Sequence, residues 1–327
     1  MRKHIYIYSP SSAVRDKAAF RRGVARLKAL GHEVEIDEAA LASQQRFAGD
    51  DETRLAAIHR AAASGADVAM ISRGGYGLTR LLAGIKYKQI QKAIAAGTHF
   101  VGLSDFTAFQ MAVLAKTGSI TWGGPTLGED FGVLTDGSDA NSGPDEIMQA
   151  CFEDMLAGQG EGAGWRQSPV STSVASKSIA KNSAFERVSA DFVVKNAVLW
   201  GGNLCIVSGL LGTPYFPQIK GGILFLEDVA EHPYRLERML SQLLHAGVLA
   251  RQKAIVLGQF TNFKLTPHDR GYRLETVVRW LRSQVKVPVL TNLPFGHVPT
   301  KVMLPVGAPC TLSVEGRDAL LFWGDLP

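Results

Sequence analysis

Through its first half the chain alternates short apolar runs with stretches of helical period. "HIYIYSPSS" predicts a strand ending in a polar turn, and "HEVEID", "ADVAMIS" and "HFVGLS" predict three more. Between them "DKAAFRRGVARLKALG" reads as a helix, with Asp16 near its start and Gly31 just past its end. "DETRLAAIHRAAASG" reads as a second helix, closed by Gly65, and "DFTAFQMAVLAKTG" as a third. Strands separated by helices imply crossovers, hence parallel βαβ units and a sheet covered on both faces. In such sheets ligands gather beyond the carboxyl ends of the strands. Ser104, in "VGLSDFTAF", stands at one of those ends.

The texture changes after residue 157. From Gly158 to Ser183 the chain is rich in Gly, Ser and Lys with weak periodicity, and reads as a linker or an extended crossing. Beyond it "AVLWGGNL", "GGILFLED", "KAIVLGQF", "VPVLTNLP" and "APCTLSVE" are strand-like. Two helices stand among them, "YRLERMLSQLLHAG" and "YRLETVVRWLRSQ"; in the first, Leu236, Met239, Leu240, Leu243 and Leu244 share one face. The expected class is therefore α/β. A parallel-sheet domain over 1–157 is joined through 158–183 to a β-rich mixed domain over 184–327.

Composition narrows the class. The 327 residues are 46% hydrophobic and 20% charged, enough apolar material for a sizeable globular core. The net charge of +5 is scattered without a basic stripe or arm, which argues against a nucleic-acid partner. Cys151, Cys205 and Cys310 lie far apart with no CxxC pair, so neither a disulfide framework nor a zinc site is indicated. No H-E-x-x-H occurs, and no metal or cofactor is expected. The apolar run "IYIY" near the start is too short for a secretion signal or a membrane span, so a cytoplasmic enzyme without a membrane partner is expected.

Serine chemistry needs a nucleophile, a base, a group that orients the base, and donors for the oxyanion. A sharp strand-to-helix turn exposes a hydroxyl, and the following backbone N–H groups favour negative charge. "GLSDFT" has that layout, although Phe106 stands where the G-x-S-x-G elbow has its second glycine. On local pattern alone an ordinary helix cap is the preferred reading of Ser104. Among eight histidines, His297 differs by lying in a Pro/Gly-punctuated loop, "LTNLPFGHVPTKVMLPVG", after an apolar strand. The alternative for it is a solvated loop tip. Glu227 and Asp228 interrupt the apolar run that begins at Ile223; either a carboxylate is presented to a site, or Asp228 caps the next segment and Glu227 is solvated. "ISRGGYGLTRLL" closes the third strand with glycines but lacks a phosphate-loop lysine. It suits a backbone-donor loop beside Ser104, with Arg73 and Tyr76 as substrate contacts.

Together, "SRGGYG…RLL", "VGLSDFTA", "GGNL…GLLGTPY", "GGILFLEDVAEHPYRLERML", "AIVLGQFT" and "PVLTNLPFGHV…LPVG" resemble the blocks of the LD-carboxypeptidases, in the family's order and over nearly the whole chain. The resemblance implies a Rossmann-like N-terminal domain and a β-rich C-terminal domain with the active site between them. It implies Ser104 as nucleophile, Glu227 as orienting carboxylate and His297 as base, with an oxyanion hole from the N–H groups of Asp105 and Gly75, the latter preferred to Gly74. Leu103 replaces a common tyrosine, and "GGP" at 123–125 replaces a common "HGP". The implied reaction releases terminal D-alanine from a muropeptide tetrapeptide during cytoplasmic cell-wall recycling, and such enzymes are often homodimers. Two alternatives accompany it. One is an immunity-type peptidase that cleaves a peptide–nucleotide antibiotic or acyl-adenylate; the other is a non-catalytic muropeptide-binding protein.

Overall fold

The computed structural model describes residues 2–134, 143–168, 191–324 and 326. β1 (His4–Tyr8), β2 (Glu33–Ile36), β3 (Val68–Ile71), β4 (His99–Gly102) and β5 (Thr121–Gly123) form a parallel sheet in the order 2-1-3-4-5. The crossovers run through α1 (Lys17–Ala29), α2 (Asp51–Ala63), α3 (Tyr87–Ala95) and α4 (Thr107–Thr117). Asp16 and Asp50 cap α1 and α2 by accepting backbone N–H bonds from the first turn. α3 is absent from the pattern-based expectation although Tyr87, Ile90 and Ile94 pack on the core, because it is only nine residues long and starts without a capping side chain. In this strand order the carboxyl ends of β1, β3 and β4 adjoin, which gathers Ser12, the 73–77 turn and Ser104 at one edge of the sheet.

The second sheet contains β6 (Gly162–Arg166), β7 (Phe192–Asn203), β8 (Ile223–Val229), β9 (Ala254–Thr261), β10 (Val289–Leu290), β12 (Pro309–Glu315) and β13 (Asp318–Phe322). Its order is 10-9-8-7-12-13-6; the first four strands are parallel and the remainder antiparallel, as a mixed domain requires. α6 (Leu204–Gly209), α7 (Pro233–His245) and α8 (Leu274–Gln284) accompany it. β6 falls inside the stretch expected to be a linker. Its alternate residues Ala163 and Trp165 are buried, but the intervening glycines hide that period in the sequence. Residues 169–183 of that stretch lie outside the described residues.

Two features join the halves. β11 (Leu304–Val306) comes from the C-terminal half yet pairs antiparallel with β5 of the first sheet. α4 is buried along Thr107–Leu114 and packs against both β5 and β7, so it carries the residues after Ser104 into the space between the sheets.

Leu224, fully buried near the start of β8, anchors the second sheet. Leu224→Ala is expected to lower unfolding free energy by about 2–5 kcal/mol in urea titrations. Leu320→Ala, half exposed on β13, is expected to stay within about 0.5 kcal/mol of the parent.

Candidate active site

β4 passes into α4 through a single helical turn, Ser104–Phe106, and Ser104 adopts φ 69°, in the left-handed region. Phe106 is buried and stacks on Phe109 with ring centroids 4.9 Å apart. A Cβ on Gly102 would lie 2.6 Å from the Phe106 ring, so the residue before Leu103 must be glycine for this turn to close. Asp105 is buried, and its carboxylate accepts the Leu78 N–H at 2.9 Å. Burial pushes the Asp105 carboxyl up from its ordinary range. The serine turn is thereby fastened to the end of the glycine turn at 73–77.

That turn is shaped by close approach. A Cβ on Gly74 would stand 2.6 Å from Ser104 Cβ and 2.9 Å from its Oγ. Gly75 has φ 108°, and a Cβ there would meet Ser12 Oγ at 2.2 Å. Ser12 N–H donates to the Gly74 carbonyl at 3.4 Å, and Tyr76 N–H donates to Ser12 Oγ at 3.0 Å. Of the two candidate glycines, Gly74 is the one whose Cβ would collide with the serine side chain, and neither its N–H nor that of Gly75 has a partner among the described residues.

Glu227 and His297 come together. The fully buried Glu227 carboxylate lies 2.8 Å from His297 Nδ1 through Oε2, and its Oε1 accepts from Asn203 Nδ2 at 3.2 Å. Room for the histidine loop comes from a bulge. Opposite Glu227 the register of β9 shifts, placing Gly258 and Gln259 against the loop. Gln259 N–H donates to the Phe295 carbonyl at 2.9 Å, and a Cβ on Gly258 would lie 2.5 Å from that oxygen. Burial lowers the His297 pKa, but the hydrogen bond and charge of Glu227, with Glu129 and Asp228 behind it, outweigh burial and hold it above its ordinary value.

Asp228 has another role. Its Oδ2 accepts from Cys205 N–H at 2.9 Å and its Oδ1 from Asn203 Nδ2 at 2.9 Å, securing the start of α6. Burial and the adjacent Glu227 push its carboxyl up to about 7. Asn203 in turn donates its N–H to Thr107 Oγ1 at 3.0 Å. One relay thus runs from the serine turn through Thr107 and Asn203 to Glu227 and His297.

His297 and Leu103, the neighbour of Ser104, line one cleft of about 380 Å³ with Glu129, Asp130, Asn262 and Lys301. Ser104 Oγ makes no hydrogen bond among the described residues, so the Glu227–His297 pair is formed while no hydrogen bond joins it to Ser104. Arg73 donates to the Ala13 carbonyl at 3.3 Å and faces Glu129 at 3.5 Å, so it is already partnered. Tyr76 is half exposed, tilted against Phe47 with ring centroids 6.0 Å apart, and the Arg46 guanidinium lies 5.9 Å from its ring. No group of three or more His, Cys, Asp or Glu that could hold a metal occurs among the described residues. Sequence reasoning missed Thr107, Asn203, Asp130 and Lys301. Asn203 had a signal, as an asparagine placed just before a helix in "GGNL".

Comparison with known proteins follows the same division. Residues 5–124 match the model described as the LD-carboxypeptidase N-terminal domain, and residues 196–312 match the C-terminal domain. The structure is similar to muramoyltetrapeptide carboxypeptidase from Oxalobacter formigenes, with TM-score 0.82 and 36% identity over 99% of both chains. In sequence the chain is 27% identical over 296 residues to a Bacillus subtilis protein named "Probable murein peptide carboxypeptidase", spanning 90% of this chain and 84% of that one. It is also 27% identical over 264 residues to the microcin C7 self-immunity protein MccF of Escherichia coli, spanning 76% of this chain and 72% of that one.

The contact at Gly74 predicts that Gly74→Ala displaces the serine hydroxyl. Labelling of Ser104 by a fluorophosphonate should slow by about 10²-fold while circular dichroism stays native. The His297 environment predicts a titration above 6.5 by histidine NMR. Glu227→Gln removes the charge that favours imidazolium and leaves burial unopposed, so that midpoint should move downward; an upward move would contradict the assignment.

Proposed function

The chain belongs to the LD-carboxypeptidase family and is a serine-type carboxypeptidase, and on that premise we propose that it hydrolyses the amide releasing terminal D-alanine from muropeptide tetrapeptides. The observation that carries this reading is the 2.8 Å contact between buried Glu227 and His297, on a cleft whose wall continues into the Ser104 turn. With the proton on Nδ1 and donated to Glu227, His297 keeps Nε2 free to accept. Ser104 Oγ attacks the scissile carbonyl as His297 takes its proton, and the imidazolium then protonates the leaving D-alanine. Water completes the cycle by attacking the acyl-enzyme through the same base. The Asp105 and Gly75 N–H groups face the developing oxyanion, and each such donor is worth about 10²–10³ in rate.

The similarity to MccF supports a second reading, cleavage of a peptide–nucleotide amide. That substrate calls for an aromatic face to stack on the base. The described lining of the cleft is aliphatic, polar and charged, with no Phe, Tyr or Trp, which supports the peptide reading. The cellular setting proposed with it is cytoplasmic recycling of wall fragments.

The test is D-alanine release from a purified tetrapeptide muropeptide. Wild-type protein should turn over, and Ser104→Ala should lose on the order of 10⁴-fold or more in kcat. Turnover of an aminoacyl-sulfamoyl nucleotide but not the tetrapeptide would favour the second reading. Equal behaviour of wild type and Ser104→Ala would leave a binding protein.

A further inference from the structure

We infer that the Asp130–Lys301 ion pair is a positioning element that holds the His297 loop against the nucleophile's domain. The inference rests on the reading of Ser104 as nucleophile and His297 as base. The loop between β10 and β11 carries His297, Thr300 and Lys301. On its C-terminal-domain side it is held by Glu227 and by Gln259 N–H on the Phe295 carbonyl. Nothing in those bonds fixes its distance from Ser104, which belongs to the other sheet.

That distance is set from the nucleophile's side, where β11 pairs with β5 after the loop and, within the loop itself, Lys301 meets Asp130. Lys301 Nζ donates to Asp130 Oδ1, with both side chains almost fully buried at the cleft. Asp130 Oδ2 accepts the Thr126 N–H at 2.7 Å, which holds the carboxylate rigidly on the segment after β5. In the same segment Gly128 N–H donates to the Ser72 carbonyl at 2.9 Å, and Ser72 is two residues before Gly74, whose Cα faces Ser104. A short path of bonds therefore leads from the oxyanion turn to Lys301, four residues past the base. Thr300 adds a second clip, donating to Asp145 Oδ2 at 2.6 Å, while Asp145 Oδ1 caps α5 (Glu146–Ala157).

Stability alone accounts poorly for such a pair. Removing two charges from water offsets much of their attraction, and apolar replacements of similar volume are often neutral or stabilising. What the pair supplies is a directional link of fixed length across the seam of two domains, where a misplacement of about 1 Å costs on the order of 10²-fold in rate.

The experiment compares Lys301→Met, Lys301→Arg and the double variant Asp130→Leu/Lys301→Met, which keeps the site packed without a buried lone charge. Two readouts are taken: kcat and KM on the tetrapeptide, and the rate of Ser104 labelling by a fluorophosphonate, which needs no natural substrate. The double variant should melt near the wild-type temperature while kcat and labelling fall by about 10²-fold and KM changes by less than about threefold. Lys301→Arg, which keeps the ion pair, should recover most of the loss. Wild-type kcat and labelling in the double variant would overturn the inference, as would a raised KM with unchanged kcat, which would make Lys301 a substrate contact. Slowed labelling of the variants without D-alanine release by wild type would sink the proposed substrate and leave the positioning role standing. A wild-type protein that resists the probe at Ser104 would remove both.

Discussion

Ser104 is held at φ 69°, where an L-residue other than glycine brings its Cβ against the backbone at a cost of about 1–2 kcal/mol. Such a conformation persists only where its surroundings over-determine it. Here the surroundings are identifiable. Phe106 is locked beneath the turn against Gly102 and Phe109, Asp105 is tied to Leu78, and α4 is buried along most of its length. The strained residue cannot relax without moving a helix that both sheets contact. The serine hydroxyl is consequently presented at the sheet edge by packing at a distance, and not by any bond that the hydroxyl itself makes.

The second domain meets that fixed point with two adjacent carboxylates whose surroundings divide their work. Glu227 accepts from Asn203 and faces His297, whereas Asp228 turns to the first backbone groups of α6 and is raised to about 7 by burial and by its neighbour. Two like charges side by side in a buried strand end are unfavourable, and Asn203 moderates this by donating to both. Because Asn203 also donates to Thr107, the residue that balances the acids is the one that joins them to the helix that follows Ser104.

Periodicity made much of this legible. β1 to β4 and the helices α1, α2 and α4 follow from alternating runs and their caps, and Ser104, Glu227 and His297 stood out because each breaks a local pattern. A serine closes a strand, an acid ends an apolar run, and a histidine sits among Pro and Gly. What escaped lacks such contrast. α3 is short and starts without a capping side chain, and β6 is interleaved with glycine. Asp130 and Lys301 look like two ordinary charges 171 positions apart, and only their burial against each other distinguishes them. The family resemblance implied what periodicity could not, a site assembled from distant blocks, of which the Glu227–His297 contact is formed, but it was silent on the bonds that hold the blocks in register.

The charge arrangement of the cleft bears on how a free carboxylate would be recognised. Arg73 opens the glycine turn at 73–77, yet its guanidinium already faces Glu129 at 3.5 Å and bonds the Ala13 carbonyl. A substrate carboxylate reaching Arg73 would exchange with Glu129 instead of meeting an unpaired cation, so the net gain is the difference between two ion pairs. Lys301 is more firmly committed, being buried against Asp130. Neither cation is therefore arranged to bind a terminal carboxylate tightly in the ground state. Weak ground-state attraction is compatible with efficient turnover when the stronger interactions arise only as charge develops on the oxyanion and the imidazole. On the proposed reading of the 104–105 and 74–75 backbone as oxyanion donors, the discriminating energy lies there and at Glu227, which is fully buried against His297.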